Sequence, residues 1–354
     1  MLNGCQLLPG AEFYVAIDNK GAWPNLTLMP SGEIVAAIYN HPSHGYGSGS
    51  NVELWASTDE GRSWSYRSTV SDLLDEPTGI RMNHAVGLTN DGSLVALVSG
   101  YHCGQKRPFL PVQCCVSEDA GASWTRHLLD VDGVPFGDIL TLPDARLACP
   151  MYRCLSRTPR VNESFLLFSA DGGQTWGNRV SIGNTNETHV IRLRESTVWL
   201  AAGRTACAER MDDALPHGSG EVLFRSEDDG LSWDSGTLVS PQGQENAHLL
   251  ELRDGRLLCC FTSRIPGLFG VVMRLSNDAG KSWSLPCTLM SIPAHNWHDT
   301  DIGYPSSVQL ADGTIVTAYY AGPKTADKPG AGLPWHQRYH MGVARWHTDV
   351  WPQG

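Results

Sequence analysis

Residues 57–64 read STDEGRSW, and the pattern Ser-x-Asp-x-Gly-x-Ser/Thr-Trp recurs four more times along the chain. The other copies are SEDAGASW at 117–124, SADGGQTW at 169–176, SEDDGLSW at 226–233 and SNDAGKSW at 276–283. Serine and aspartate side chains bond nearby backbone, glycine adopts a positive φ, and tryptophan anchors a turn on an apolar surface. The pattern therefore predicts one hairpin turn that is repeated five times.

A second repeat, strand–turn–strand, lies between these boxed turns. Its six copies begin at residues 24, 83, 136, 188, 246 and 304. Strand-type runs without helical periodicity, at roughly 50–60 residues per unit, are typical of four-stranded propeller blades. The sixth unit has no boxed turn, so we expect EFYVAI at 12–17 to supply its outer strand. The sequence predicts an all-β, six-bladed propeller of four-stranded antiparallel blades, with residues 1–354 forming a single domain.

The composition is that of an ordinary soluble globular protein, with 41% hydrophobic and 18% charged residues among 354. No apolar run approaches membrane-spanning length, and the first residues lack a secretion signal, so a cytoplasmic protein is expected. The formal net charge of −11 argues against nucleic acid and anionic membranes as partners. An anionic ligand would need arginines gathered locally in its pocket.

The ten cysteines lack the spacing of metal ligands. Two adjacent pairs, Cys114–Cys115 and Cys259–Cys260, lie in strand-like apolar runs. Neighbouring residues of a strand point to opposite faces, so the pairs are interpreted as reduced thiols that fill the core. We predict no metal ion and no cofactor.

The boxed turn resembles the Asp-box, or BNR repeat, of the sialidase superfamily, and the resemblance extends over the whole chain. In that family the innermost strand of each blade begins at a central pocket. The corresponding segments here are residues 23–25, 81–84, 135–137, 186–188, 245–246 and 303–304. The resemblance implies that Asn83, His84 and Asn246 contribute to substrate binding.

Four positions match residues with known roles in the family: Glu187 and Arg204 of the fourth unit, Arg264 of the fifth and Tyr304 of the sixth. The resemblance implies a tyrosine nucleophile, a glutamate that takes its proton and two arginines that bind a carboxylate. A neutral tyrosine suits a sugar whose anomeric carbon carries a carboxylate, because a carboxylate nucleophile would be repelled there. Planar guanidinium groups hold the sugar carboxylate bidentately.

The family's first arginine is missing from this chain. The segment GAWPNLTL has Ala22 or Trp23 at that place. Arg81, at the start of the second unit, is predicted to reach the pocket and replace it.

The family's acid/base aspartate is also missing, since its loop reads NHPSHGYGSGSN at 40–51. Histidine titrates near neutrality and can protonate a leaving oxygen. We therefore predict His44 as the acid/base, with His41 and Tyr46 as substrate-binding neighbours. A second loop, PAHNWHDTDIGYP, places His295, His298, Asp299 and Asp301 beside Tyr304 and offers another proton carrier.

The function expected from these residues is an exo-acting, retaining glycoside hydrolase that releases a terminal sialic acid or a related carboxylated sugar from an acidic glycan. One alternative is a polysaccharide lyase or a rhamnosidase-like enzyme acting at a uronic acid, since histidine, tyrosine and arginine also suit β-elimination. Another is a carbohydrate-binding propeller without activity. The sequence leaves the sugar, the linkage and the oligomeric state open.

Overall fold

Regular structure in this protein is almost entirely β-strand. The computed structural model describes residues 4–43, 45, 50–72, 79–102, 109–157, 159–205, 219–240, 242–294, 300–323, 333 and 335–351. These contain 26 strands and one short 3₁₀ turn, Thr348–Val350. Within the same ranges, no helix has the length and apolar character needed to cross a membrane. The all-β prediction is confirmed.

The first fifteen strands carry the chain through three strand–turn–strand units. They are β1 (Gln6–Leu7), β2 (Glu12–Asp18), β3 (Ala22–Leu28), β4 (Ile34–Tyr39), β5 (Val52–Ser57), β6 (Ser65–Thr69), β7 (Gly79–Leu88), β8 (Leu94–His102), β9 (Phe109–Ser117), β10 (Thr125–Leu128), β11 (Val134–Pro135), β12 (Gly137–Thr141), β13 (Leu147–Arg157), β14 (Arg160–Ser169) and β15 (Gly177–Gly183).

The remaining eleven strands complete the ring. They are β16 (Thr185–Arg192), β17 (Trp199–Thr205), β18 (Glu221–Ser226), β19 (Thr237–Ser240), β20 (Gln244–Glu251), β21 (Leu257–Ile265), β22 (Leu268–Ser276), β23 (Cys287–Ile292), β24 (Thr300–Gln309), β25 (Ile315–Pro323) and β26 (His340–Trp346).

Small antiparallel sheets follow one another in a propeller-like arrangement. Three sheets have four strands each. These are β3–β6, β16–β19, and the sheet formed by β24–β26 together with β2. A fourth sheet has five strands, because β1 joins β20–β23. The nine strands from β7 to β15 form one sheet, because β7 and β12 pair in parallel. Hydrogen bonding between the described strands thus defines five sheets, whereas the repeat count predicts six separate blades.

The ring closes through its innermost strands and through its termini. Strands β3, β7, β12, β16, β20 and β24 contact one another in turn, and β24 contacts β3. Strand β2 pairs antiparallel with β26, from Glu12 opposite Arg345 to Asp18 opposite His340. The predicted outer strand at residues 12–17 is therefore confirmed, and it joins the two ends of the chain.

The boxed turns are built as the sequence predicts. In the first, the Ser57 hydroxyl donates to Asp59 Oδ1 over 2.8 Å and accepts from the Gly61 amide. Asp59 in turn accepts from the amide and the hydroxyl of Ser63, at 2.9 and 2.6 Å. The other four turns repeat this set of bonds around Asp119, Asp171, Asp228 and Asp278.

Each boxed turn also lies close against a neighbouring sheet. Gly121 has a φ of 86°, and a Cβ atom there would lie 2.1 Å from Leu54 Cδ2 of the preceding unit. Only glycine combines that φ with so close an approach at low cost. The repeated glycine therefore serves packing between units as well as the turn.

Low pH is expected to destabilise these turns. The hydroxyl of the second box serine holds the pKa of Asp59, Asp119, Asp228 and Asp278 at about 2, below the ordinary 3.8. A carboxylate with a lowered pKa stabilises the fold above its unfolded pKa and loses that effect as pH falls. We expect stability to fall between pH 3.8 and pH 2, and Asp119→Asn to reduce this slope. Urea denaturation at several pH values measures it; an unchanged slope in the variant would contradict the assignment.

The core lies in separate apolar clusters between successive sheets. Cys114 and Cys115 belong to different clusters, as do Cys259 and Cys260. Among the described residues, the four thiols of these two pairs are free. Adjacent residues on a strand do face opposite sides, as the sequence predicts for these pairs.

A repeated irregularity turns side chains towards the axis. Strands β3, β16, β20 and β24 each contain a β-bulge, in which two consecutive residues lie opposite one residue of the neighbouring strand. The first residue of each bulge has a positive φ: 51° at Trp23, 46° at Glu187, 57° at Asn246 and 48° at Tyr304. Such a backbone costs about 1–3 kcal/mol per non-glycine residue and is concentrated at functional sites. All four residues line the central cavity.

Candidate active site

The innermost strands surround a cavity of about 270 Å³. Its volume is close to the lower end of the range for small-molecule sites. The lining residues come from every unit of the ring: Trp23, Pro24, Asn25, Met82, Asn83, His84, Tyr101, Phe136, Gly137, Tyr152, Glu187, His189, Arg204, Asn246, Ala247, His248, Arg264, Tyr304, Pro305 and Ser306.

A tyrosine and a glutamate from different sheets meet in this cavity. The Tyr304 hydroxyl donates to Glu187 Oε2 over 3.0 Å. The same oxygen accepts from Arg204 Nη1 and from Asn246 Nδ2, each at 2.6 Å. These three hydrogen bonds hold the Glu187 carboxylate beside the Tyr304 phenol. The pair is within the reach that a general base needs from its nucleophile.

Tyr304 is a neutral phenol in this environment. Burial raises its pKa well above the ordinary value, the charge of Glu187 raises it further, and Arg204 and Arg264 oppose the shift. A phenol with a raised pKa does not ionise by itself near neutral pH. It can act as a nucleophile only if its proton moves to Glu187 as the new bond forms.

The two arginines are held by buried carboxylates. Glu245 lies between them, 2.9 Å from Arg204 Nε and 2.7 Å from Arg264 Nη1. Asp301 Oδ1 lies 3.4 Å from Arg264 Nη2 and accepts from the Tyr320 hydroxyl at 3.0 Å. Among the described residues, Arg204 Nη2 and Arg264 Nε have no bonded partner, so each arginine retains a donor for a ligand.

An aromatic wall stands beside Tyr304. Trp23 stacks on Tyr39 with ring centroids 5.3 Å apart, and its edge faces Tyr304 at 6.3 Å. Phe136 meets Tyr304 from another side at 6.1 Å. Trp23 thus offers an apolar surface at the place where the family resemblance implies an arginine.

A polar group forms another part of the lining. Asp138 Oδ2 lies 3.1 Å from His189 Nε2 and 3.5 Å from His248 Nε2. Asn25 Nδ2 donates to Asp138 Oδ1 over 2.8 Å. The carboxylate has a pKa well below the ordinary range: burial would raise it, and the two imidazoles outweigh that effect.

These donor atoms are close enough to share a metal ion, but one hydrogen bond disfavours that arrangement. The Leu249 amide donates to His189 Nδ1 over 3.2 Å. A nitrogen that accepts carries no proton, so in the neutral ring the proton is on Nε2, facing Asp138. A metal bound at Nε2 would require the opposite tautomer. We interpret the group as a polar cluster in which both imidazoles face the Asp138 carboxylate.

The structure brings some of the predicted residues into the cavity and leaves others outside it. Asn83, His84 and Asn246 line it, and His84 Nδ1 is bonded to the Met82 carbonyl at 2.9 Å. Burial lowers the pKa of His84. His41 is not part of the lining: its Nδ1 contacts Ser43, and its ring stacks on Tyr39.

Arg81 corrects one expectation. It is buried, its Nη1 donates to the Pro111 carbonyl at 2.6 Å and its Nε lies 3.4 Å from Asp72. It does not line the cavity. Strand β7 has a one-residue bulge between Arg81 and Asn83, and the guanidinium bonds to strand β9 of its own sheet. Arg81 therefore does not replace the family's first arginine.

The remaining predicted residues, His44 and Tyr46, lie outside the described residues, as do His295, His298 and Asp299. Their roles stay predictions.

Sequence reasoning missed Asp138, His189 and His248. The sequence does contain a signal for the two histidines. In four innermost strands, the residue two places after the positive-φ residue is polar: Asn25, His189, His248 and Ser306. Aligning the six repeats shows polar residues where an innermost strand should be apolar.

Comparison with known proteins agrees with this architecture. A sialidase of Clostridium perfringens is 26% identical over 242 residues, which are 60% of this chain and 59% of that protein. The chain thus spans less than two thirds of that relative. A protein of unknown function from Dyadobacter fermentans shares the fold with a TM-score of 0.73 and 20% identity, over 95% of this chain and 99% of that one.

The NanB sialidase of Streptococcus pneumoniae gives a TM-score of 0.66 at 15% identity, over 98% of this chain and 71% of that one. At such identities the solved structures show a common fold alone. The fold and the boxed turns are those of the sialidase superfamily, as the sequence predicts. The family model of the BNR repeat-like domain matches residues 51–317, and the chain belongs to that family.

Proposed function

We propose that the protein is a retaining glycoside hydrolase that removes a terminal sialic acid or a related carboxylated sugar. One observation carries the proposal: the Tyr304 hydroxyl donates to Glu187 over 3.0 Å in a cavity that also contains Arg204 and Arg264. The similarity in sequence to a sialidase of Clostridium perfringens supports the same class of reaction. A binding protein would have no use for a buried phenol paired with a carboxylate.

The proposed reaction has two steps. Tyr304 Oη attacks the anomeric carbon while its proton passes to Glu187, and the bond to the leaving oxygen breaks as an acid protonates that oxygen. A glycosyl-tyrosine forms. Water then attacks the same carbon, the tyrosine oxygen takes back its proton from Glu187, and the proton of water goes to the conjugate base of the acid. Two displacements retain the configuration.

The free donors of the two arginines favour a carboxylate in this cavity. Arg204 Nη2 and Arg264 Nε are the donors left over once Glu187, Glu245 and Asp301 have been bonded. A guanidinium donor binds a carboxylate through a charge-assisted hydrogen bond, worth roughly twice a neutral one. The bound acid group would then orient the anomeric carbon towards Tyr304.

The strand contacts also favour six blades. The nine-stranded sheet consists of two successive antiparallel runs, β7–β10 and β11–β15, joined only by the parallel pair β7 and β12. Counting each run as one blade gives six blades, which agrees with six innermost strands in contact around the axis.

The proposed acid/base is His44, in the loop from which the family's aspartate is missing. An alkoxide leaves poorly without a proton, and general acid help is worth roughly 10²–10⁴-fold. We expect His44→Ala to lower turnover of natural glycosides by about that factor and to leave activated aryl glycosides almost unchanged. Steady-state kinetics on both substrate types measure this. Equal losses on both would indicate a binding role instead.

A panel of substrates tests the proposed function as a whole. The purified protein is incubated with sialosides and with uronic-acid oligosaccharides, and released sugars are separated by chromatography while ultraviolet absorbance is recorded. We expect a free carboxylated sugar, released first as the anomer present in the substrate. A rise in absorbance from an unsaturated uronate would instead show a lyase, and binding without product would show a lectin.

A further inference from the structure

His248 is the less completely hydrogen-bonded of the two histidines in the polar group, since His189 lacks a partner in the described part of the chain only at Nε2. His248 is only 4% exposed, yet neither of its ring nitrogens has a hydrogen-bond partner among the described residues. A buried polar atom without a partner costs about 1–3 kcal/mol, so nearly all such atoms in folded proteins are satisfied by protein, water or ligand. Because His248 lines the cavity, a ligand there can supply the missing partner.

Each residue at the equivalent place in the other strands has a partner for at least one side-chain atom. Ser306 Oγ accepts from the Leu26 amide at 2.9 Å, and His189 Nδ1 accepts from the Leu249 amide. Both side chains therefore satisfy a backbone N–H of the neighbouring innermost strand. Asn25 donates to Asp138. His248 occupies the same position in its strand but accepts no hydrogen bond from a backbone N–H of any described residue. This difference distinguishes it from Ser306 and His189.

The chemistry of the surroundings selects the kind of partner. The Asp138 carboxylate lies 3.5 Å from His248 Nε2 and favours a proton on that nitrogen. The other nitrogen of the neutral ring is then an acceptor. The side-chain oxygens of Asn25, Asn83 and Asn246, all lining residues, are also buried acceptors without partners. A ligand that satisfies this set must donate several hydrogen bonds and carry no negative charge on this side.

We propose that Asp138, His189 and His248 form a recognition site for hydroxyl groups of the bound sugar, with His248 as the residue that contacts the ligand. This inference rests on the proposed function. The acid group of the sugar faces Arg204 and Arg264, while hydroxyl groups face the polar cluster. Asp138 repels a second carboxylate there, so the two ends of the cavity orient the sugar in one direction only.

Calorimetric binding tests the proposal separately from catalysis. The probes are N-acetylneuraminic acid, glucuronic acid and singly deoxygenated analogues of whichever acid binds. We expect His248→Phe, which keeps a ring of similar size, to weaken binding about 10- to 100-fold, and His248→Gln to restore part of the loss. One deoxygenated analogue should bind the wild type more weakly by the same factor, with no further loss on His248→Phe. His127→Phe, at a partly exposed position outside the cavity, is the matched control.

The possible outcomes separate the two proposals. If a sugar acid binds with the same affinity to wild type and His248→Phe, the hydroxyl site is wrong while the proposed function stands. If binding depends on His248 but no glycoside is hydrolysed, the hydroxyl site stands and the hydrolase proposal is wrong. If neither acid binds the wild type, the hydroxyl site is overturned, and hydrolysis in the substrate panel decides the proposed function separately. If ZnCl₂ raises the thermal midpoint of the wild type but not of His248→Phe, the cluster binds a metal ion and the hydroxyl site is overturned.

Discussion

Tyr304→Phe is expected to lower kcat by at least about 10³-fold on any substrate that the wild type hydrolyses. The variant keeps the ring that packs beside Trp23 and Phe136 and loses only the hydroxyl that would form the covalent bond. Glu187→Gln should lower kcat by about 10²–10⁴-fold, because the amide cannot take the phenol proton. Residues that act as one unit are strongly non-additive, so the double variant should be no slower than Tyr304→Phe alone.

Single-turnover and steady-state kinetics measure this effect, with a second tyrosine as control. Tyr319 is also fully buried but is not part of the cavity lining. Tyr319→Phe should leave kcat within about twofold of the wild type. The thermal midpoint of Tyr304→Phe should change little. A Tyr304→Phe variant that keeps most of the activity would exclude this residue as the nucleophile.

Glu245→Ala is expected to give a large loss of stability. Glu245 is fully buried and ion-paired with both Arg204 and Arg264. Removing one member of a buried ion pair leaves charge without compensation and typically costs about 3–5 kcal/mol. Asp301 would still face Arg264, but only at 3.4 Å. Weak substrate binding should accompany the loss, because the arginines would no longer be held in place.

The chain contains a matched control for this variant. Glu163 also bridges two arginines, Arg153 and Arg179, but all three side chains are partly exposed to solvent. Surface ion pairs contribute about 0–1 kcal/mol. Glu163→Ala should therefore lower the free energy of unfolding by about 1 kcal/mol or less. Urea denaturation compares the two variants, and equal losses would contradict the role given to burial at Glu245.

The boxed turns could be predicted from sequence because they depend on local chemistry. The closing strand pairs distant residues, and it could be predicted because the sixth unit has no boxed turn of its own. Ser57, Asp59 and Ser63 bond within one turn, so their spacing alone defines the structure. The family resemblance then located Tyr304, Glu187, Arg204 and Arg264 on three units, and the structure places them in one cavity.

The rest of the site depends on contacts between distant segments. Asp138 and His248 are 110 residues apart in the sequence, and their proximity follows from how successive innermost strands pack around the axis. The bulges that begin β16, β20 and β24 also interrupt the alternation of faces along a strand. Simple alternation therefore gives no indication of which residues turn into the cavity. Arg81 was misplaced for the same reason, since β7 has a different bulge.

Trapping the covalent intermediate is the most direct test of the account. A 2,3-difluorinated sialic acid has a good leaving group, while its second fluorine disfavours the positive charge that develops when the intermediate breaks down, so the glycosyl-enzyme should accumulate. After incubation, intact mass spectrometry should show one added sugar residue, and peptide mapping should place it on Tyr304. Label on a different residue, or no label on protein that hydrolyses sialosides, would contradict the assignment of Tyr304 as the nucleophile.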